Sequence, residues 1–274
     1  MSPPPVLRAA TGLLRRLSHS PEAEQLVLRG GMMMRLWSGP VPRPVEDIDF
    51  LALFPFDPAA TAARLESVCH VEAGDGLRFG TLRSEVIWAE TNFPGVRAFV
   101  DVTQPGGEAP FELRIDTGFG DPMDPPPTWI EPALEEGPPA RVLACRPETL
   151  FAWKVHGLFE RGKGRFRPKD LFDVYLLAKH SPLAPALLPR ALRLAFDSRG
   201  DSLDLTSRLI SGEFGRSPWS MEKWARFRQS LPEGRPEQLA EVVASVAAVL
   251  GPVVAAAREL PPAARPPPVH PPPQ

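Results

Sequence analysis

The stretch "LVLRGGMMMRLWSGPVPRPVEDIDFL" (residues 26–51) predicts a strand, a glycine pair, a helix and a second strand. "QLVLRG" is apolar enough for a buried strand, and "GMMMRLW" is typical of a helix that opens at Gly31. The second strand, "DIDFLALF", begins with Asp47 and Asp49. Alternate side chains of a strand share one face, so these carboxylates should project together about 7 Å apart. Like charges this close repel unless a cation or a shared proton lies between them.

Two interpretations of the aspartate pair remain open at this point. Hard oxygen ligands suit Mg²⁺, which retains waters and takes its other ligands from substrate phosphates. Alternatively, the aspartates cap the chain or pair with arginines such as Arg43. The upstream glycines favour the metal, because Gly30 and Gly31 would let a phosphate approach backbone N–H groups at the start of a helix.

The rest of the first half alternates strand and helix patterns. A helix is predicted from about residue 5 to 19, and a second one follows Asp57, a good N-cap, and Pro58. Strand patterns follow in "TLRSEVIWAE", "VRAFVDVT" and "FELRIDTGF" (81–90, 96–103 and 111–119).

After the proline-rich stretch 120–132 the pattern becomes helical. We therefore predict an α/β domain over 1–140, a helical domain over 141–260 and a proline-rich, poorly ordered tail over 261–274. An active site is expected in the cleft between the two domains.

A third carboxylate is expected if two metals assist attack on phosphorus. The later strands offer two candidates, Asp101 in "FVDV" and Asp116 in "RIDTGFGD". Either one could instead be a turn residue at the end of a strand. The residues alone leave this choice open.

The helical half supplies positive charge. Lys154 lies on an otherwise apolar helical stripe and would either extend to solvent or reach a phosphate in the cleft. Asp170 is suited to a helix N-terminus, whereas Asp173 lies among apolar residues and needs a partner such as Lys154 or an arginine. The best candidate for RNA-backbone binding is a run of five cations, Arg161, Lys163, Arg165, Arg167 and Lys169, which could equally be an ordinary solvated loop.

Composition narrows the class of protein. The net charge of -2 argues against coating nucleic acid with the whole surface, but permits a local basic groove. Cys69 and Cys145 are too few for a disulfide framework and lack the spacing of a zinc site. We expect no membrane-spanning segment and no signal peptide, and therefore a cytoplasmic protein.

Four motifs in this order resemble the AbiEii/AbiGii-type, MenT-like nucleotidyltransferase toxins of the DNA polymerase β-like superfamily. The resemblance covers about residues 26–180. It rests on the glycine and DxD segment quoted above, "LRIDTGFGDPMDP", "PETLFAWKVHGLFERG" and "RFRPKDLFDVYLL", the last similar to the family's R-x-K-D-x-x-D helix. The implied fold is α+β: a polymerase β-like mixed sheet with helices, followed by a helical C-terminal domain.

The resemblance also implies roles for individual residues. It selects Asp116 over Asp101, so that Asp47, Asp49 and Asp116 would bind Mg²⁺ and Asp116 could help to deprotonate the acceptor hydroxyl. Lys154 would hold the triphosphate of the NTP, and Asp170 would support the site. The full set of candidate nucleotide-binding residues is Gly30, Gly31, Arg35, Arg43 and Lys154.

The leading hypothesis is a toxin that transfers NMP from NTP to an RNA acceptor, with the tRNA 3′ end as the first candidate, and that is neutralised by a separate antitoxin protein. A second hypothesis keeps the chemistry but uses a small molecule or a protein hydroxyl as acceptor. A third is a non-catalytic nucleotide-binding module. The third rests on two departures from the usual T-R-D-x-D motif, because Val45 and Glu46 precede Asp47 here. Trp153, before Lys154, likewise replaces a glutamate.

Overall fold

The computed structural model describes residues 4–37, 44–104, 106, 109–132, 139–160, 166–231, 238–264, 267 and 269. The sheet comprises seven strands, β1 (Leu26–Arg29), β2 (Ile48–Ala52), β3 (Arg78–Ile87), β4 (Gly95–Thr103), β5 (Phe111–Gly118), β6 (Thr128–Ile130) and β7 (Val142–Ala144). The first half also contributes α1 (Pro5–Ser18), α2 (Gly30–Trp37) and α3 (Pro58–Cys69). The helical half contains α4 (Pro147–Gly157), α5 (Pro168–His180), α6 (Leu188–Asp197), α7 (Ser207–Ile210), α8 (Pro218–Arg228) and α9 (Leu239–Arg258).

The strand order is β3-β4-β5-β2-β1-β7-β6. The pairs β2–β5 and β1–β7 are parallel, and the other neighbours are antiparallel. The expected mixed α+β sheet is thus confirmed. Pairing of β7 with β1 carries the sheet to Ala144, a few residues beyond the boundary predicted at 140.

Local signals in the sequence explain how the first helices form. Leu7, Leu13, Leu14 and Leu17 of α1 are buried, as the apolar spacing predicts. At the start of α3, the side chain of Asp57 accepts a hydrogen bond of 2.9 Å from the backbone N–H of Ala60, and Pro58 occupies the first turn. These two helices contact each other and pack against the sheet that carries the site.

Helix α9 is as long and apolar as a membrane span. Leu239–Arg258 has a mean hydropathy of 2.1 over an 18-residue window, enough by length and composition to cross a membrane. One face of α9 is buried, including Val242, Val246 and Leu250, and the helix contacts α5, α6 and α7. Packing as a core helix therefore accounts for its apolar residues.

Both cysteines are buried and unpaired, as expected from the sequence. Burial raises the pKa of the Cys69 and Cys145 thiols to about 12.

In the part of the tail that the structure describes, the backbone N–H of Ala263 donates a hydrogen bond of 2.7 Å to Asp197, and Val269 packs beside Gly120. The remainder of the predicted disordered tail lies outside the described residues.

Candidate active site

Three carboxylates meet at one end of the sheet. In the parallel β2–β5 ladder Asp49 is opposite Asp116, and Asp47 lies just before β2. Oxygen atoms of Asp47, Asp49 and Asp116 all lie within 4.8 Å of one another. Asp101, the other candidate, is exposed on β4 opposite Glu112 and lies outside this group. The register of the sheet therefore brings together the three carboxylates named from the resemblance.

The environment of Asp49 makes its negative charge unfavourable in the absence of a cation. Burial raises the pKa of Asp49, and the neighbouring charge of Asp47 raises it further. Arg29 and a hydrogen bond from the backbone of Gly31 act in the opposite direction but are outweighed. A divalent cation bound to the three carboxylates would relieve this cost, and an all-oxygen set of this kind suits a hard cation.

Two arginines from the neighbouring strands contact the same carboxylates. Arg97, opposite Asp116 on β4, donates two hydrogen bonds of 2.8 Å to it. Arg114 on β5 binds Asp47. The hydrogen bond to Asp116 raises the pKa of Arg97. Burial alone would lower the pKa of Arg114, but the contact with Asp47 outweighs it, so the pKa of Arg114 is also raised. Arginine pairing, one of the two interpretations of the DxD segment, therefore occurs, although with arginines other than Arg43, which lies outside the described residues.

The glycine pair is shaped around Asp49. Gly30 has a φ of +69°, and a Cβ atom at this position would lie 1.8 Å from the Asp49 carboxylate. The backbone N–H of Gly31 donates a hydrogen bond of 3.1 Å to the same carboxylate. Sequence reasoning assigned the glycines to phosphate binding alone. In the structure they also position a carboxylate of the cluster.

Asp47 and Asp49 of the cluster open onto a cleft of about 270 Å³ between the sheet and the helical half. Its lining includes Asp47 and Asp49 from the cluster and both glycines. The other lining residues come from β1, α4, the turn after α4 and α5: Arg29, Leu150, Trp153, Lys154, Gly157, Glu160, Lys169 and Asp170. Lys154 and Asp170, which were predicted from separate motifs, thus face the same space as the aspartates. Arg35 lies on α2 and is not part of this lining.

Lys154 is fixed within the cleft by a buried carboxylate. Its Nζ donates a hydrogen bond of 2.8 Å to Asp173, whose side chain is fully buried. This confirms the expectation that Asp173 needs a partner. Near the mouth of the cleft, Lys169 of α5 forms an ion pair of 2.7 Å with Glu46. Glu46, one of the departures from the motif, therefore contacts a cation of the helical half.

Sequence reasoning missed a second charged cluster behind the cleft. Arg29 binds the buried Asp121 at 2.5 Å, and Arg199 binds the other oxygen of Asp121. Burial would raise the pKa of Asp121, but the two guanidinium groups outweigh it and lower the pKa. The Arg29 guanidinium also lies 4.6 Å from the centre of the Trp153 ring. Two features of the sequence could have indicated this cluster. Arg29 directly precedes the glycine pair, and Asp121 is the last residue of "GFGD".

The predicted RNA-binding run is only partly described. Arg161, Lys163 and Arg165 lie outside the described residues. Arg167 is exposed at the start of α5, and Lys169 lines the cleft.

Residues 12–251 match the sequence profile of the family described as the nucleotidyl transferase AbiEii toxin of a type IV toxin–antitoxin system. The chain belongs to the AbiEii nucleotidyltransferase toxin family. The match covers the sheet, the cleft and most of the helical half, so this AbiEii-family chain is a nucleotidyltransferase by membership.

Solved structures support the fold. JHP933 from Helicobacter pylori aligns with a TM-score of 0.52 and 19% identity, covering 92% of this chain and 91% of that one. A structure described as a putative nucleotidyltransferase from H. pylori gives the same TM-score and identity, with coverages of 92% and 94%. No curated protein matches this AbiEii-family chain significantly by sequence.

Proposed function

We propose that this AbiEii-family protein is a Mg²⁺-dependent toxin that transfers NMP from an NTP to an RNA acceptor, with the 3′ end of tRNA as the leading candidate. The observation that carries the proposal is the convergence of Asp47, Asp49 and Asp116 on one point at the edge of a cleft that also contains Lys154. Such a transfer to tRNA would stop aminoacylation and thereby inhibit translation. The cognate antitoxin protein and a cytoplasmic location follow from the same hypothesis.

Asp47, Asp49 and Asp116 would hold Mg²⁺, which would lower the pKa of the acceptor hydroxyl and neutralise charge on the triphosphate. The acceptor oxygen attacks the α-phosphorus in line, a new P–O bond forms, and the bond to the bridging oxygen of pyrophosphate breaks. The hydroxyl proton passes to a carboxylate of the cluster, for which Asp116 is the candidate.

The helical half would bind the leaving group. Lys154, held by Asp173, places a positive charge in the cleft where pyrophosphate develops charge. Asp170 lines the wall between this cleft and a neighbouring basic surface, where it can support the acceptor end. Catalysis would then come from positioning and from neutralisation of charge, with no covalent intermediate on the protein.

RNA is favoured as acceptor by the cations close to the cleft. Lys169 lines the cleft, and the exposed Arg167 precedes it by two residues. Earlier in the sequence come the other predicted cations, Arg161, Lys163 and Arg165. Positive charge beside a nucleotidyl-transfer site suits a phosphate backbone better than a small neutral acceptor.

The direct test incubates purified protein with total RNA, Mg²⁺ and each labelled NTP in turn, followed by separation of the RNA by size. We expect labelled RNA with the wild-type protein and with Asp101→Ala, which removes a carboxylate outside the cluster. Asp49→Ala should abolish the label while thermal unfolding stays cooperative. Label only on protein or small molecules, or an active Asp49→Ala variant, would contradict the proposal.

A further inference from the structure

A second concave surface lies beside the candidate active site, where the start of α5 meets α8. It has a volume of about 430 Å³ and is lined by Phe166, Arg167, Pro168, Lys169, Asp170, Lys223, Arg226 and Phe227, together called the basic groove. Lys169 and Asp170 line both the basic groove and the nucleotide cleft. The two surfaces therefore adjoin at the first turn of α5.

The lining of the basic groove is predominantly cationic. Among the described residues, it contains four basic side chains and a single carboxylate, Asp170. Its excess of positive charge contrasts with the protein as a whole, whose net charge is -2. A local excess of this kind attracts a polyanion to one face only.

Helix α8 presents its cations on one side. Trp219, Lys223 and Arg226 follow a spacing of i, i+4 and i+7, which places them on the same face. Ser220 and Trp224 are buried on a different side of the helix. The α8 cations therefore face outward because the apolar side of the helix is occupied by the core.

The contacts of these cations are easily exchanged. Arg226 pairs with Glu222 at 2.6 Å, but both side chains are more than 60% exposed, and such pairs contribute about 0 to 1 kcal/mol. The Lys223 ammonium lies 3.8 Å from the centre of the exposed Trp219 ring, and it reaches the Phe166 carbonyl only at 3.5 Å. Phosphate oxygens can therefore replace these partners at low cost. An exposed aromatic ring beside cations is also the combination that single-stranded nucleic acids use for stacking.

We infer that the basic groove binds the phosphate backbone of the single-stranded RNA acceptor just upstream of its reacting 3′ end. This inference rests on the proposed function, and it adds Lys223, Arg226 and Trp219 of α8 to the acceptor site. The adjacency of groove and cleft supplies the geometry, since a strand whose end reaches Asp49 can leave the cleft past Lys169 and Asp170.

The test compares Lys223→Gln/Arg226→Gln with Arg190→Gln/Arg258→Gln. Each pair removes two positive charges, and Arg190 and Arg258 are half exposed or more, with one acidic partner each, on α6 and α9. Binding of a labelled single-stranded RNA is measured against salt concentration. The α8 variant should bind at least tenfold more weakly in low salt, and its log–log salt slope should be shallower by about 1.4, because each single-strand phosphate contact contributes about 0.7.

Two further measurements keep the outcomes distinct. NTP binding, followed by isothermal titration, should be the same in both variants and the wild type, and circular dichroism should report the same fold. If the wild type labels RNA but the α8 variant binds it with unchanged affinity and slope, the basic groove is overturned and the proposed function stands. If the wild type neither binds nor labels RNA, both fail. Loss of antitoxin binding with unchanged RNA binding in the α8 variant would assign the surface to a protein and overturn the inference.

Discussion

Arg97 and Asp116 face each other across the β4–β5 ladder and are joined by two hydrogen bonds of 2.8 Å. The same Asp116 belongs to the carboxylate cluster suited to a divalent cation. The guanidinium and a metal ion therefore compete for one carboxylate. Arg97 therefore compensates the negative charge of the cluster when the metal concentration is low. The same contact lowers the affinity of the cluster for the ion.

Arg97→Gln should separate these two effects. Without added metal, the variant should unfold at a lower temperature, because the carboxylates lose a compensating charge worth about 1 kcal/mol. Removal of the competitor should raise the affinity for Mg²⁺ or Mn²⁺ about fivefold, measured by calorimetric titration. Arg83→Gln, which removes an exposed guanidinium paired with Glu112 on the neighbouring strands, is the control. A weaker metal affinity in Arg97→Gln would show that the arginine supports metal binding instead.

Gly30→Ala should disturb the carboxylate cluster in addition to straining the backbone at residue 30. A left-handed backbone costs a non-glycine residue about 1 to 2 kcal/mol, and the added Cβ would also displace Asp49. Gly74→Ala is a matched control, because Gly74 has a φ of +64° and nothing lies within 4 Å of the position that a Cβ atom would take there. Both variants should be less stable in chemical denaturation, but only Gly30→Ala should lose its stabilisation by Mg²⁺. An equal metal response in the two would contradict this account of Gly30.

Lys154→Met should cost stability as well as activity. The substitution leaves the fully buried Asp173 without its ammonium partner, and breaking such a pair costs about 3 kcal/mol. Lys154→Met/Asp173→Leu should recover most of this loss in the free energy of unfolding, since no buried charge remains. Nucleotide transfer should stay absent in both variants. Recovery of activity in the double variant would exclude Lys154 from triphosphate binding.

Asp121 should make the stability depend on pH in acid. Because Arg29 and Arg199 lower its folded-state pKa, its contribution is present above the unfolded pKa of about 3.9 and is lost as the pH falls through the folded value. Asp121→Asn should therefore be destabilised by about 3 kcal/mol at pH 7. The gap to the wild type should narrow below about pH 4 in urea titrations. A gap that is independent of pH would mean that Asp121 acts through shape rather than charge.

The sequence was most informative where local chemistry decides the structure. The DxD segment, the glycine pair and the Asp57 cap each depend on a few adjacent residues, and Asp57 caps α3 as expected. Lys154 and Asp173 could be paired because each lies on an apolar helix surface where a lone charge is costly.

What remained hidden depends on pairing between distant segments. In the sequence, Arg97 and Arg114 occupy ordinary polar positions of alternating strand patterns. Only the register of β4, β5 and β2 brings their side chains to the carboxylates. Strands β6 and β7 have three residues each, too few for a periodic pattern, and form through long-range pairing. The basic groove likewise depends on the packing of α8 beside α5, which spacing along the chain does not encode.

The close approach of Gly30 and Asp49 has a genetic consequence. A missense change at codon 30 introduces a side chain where the Asp49 carboxylate already lies. In cells selected to survive this toxin without its antitoxin, residue 30 should therefore be a recurrent position of escape mutations. Codon 74, with the same backbone requirement and open space around it, should be recovered far less often.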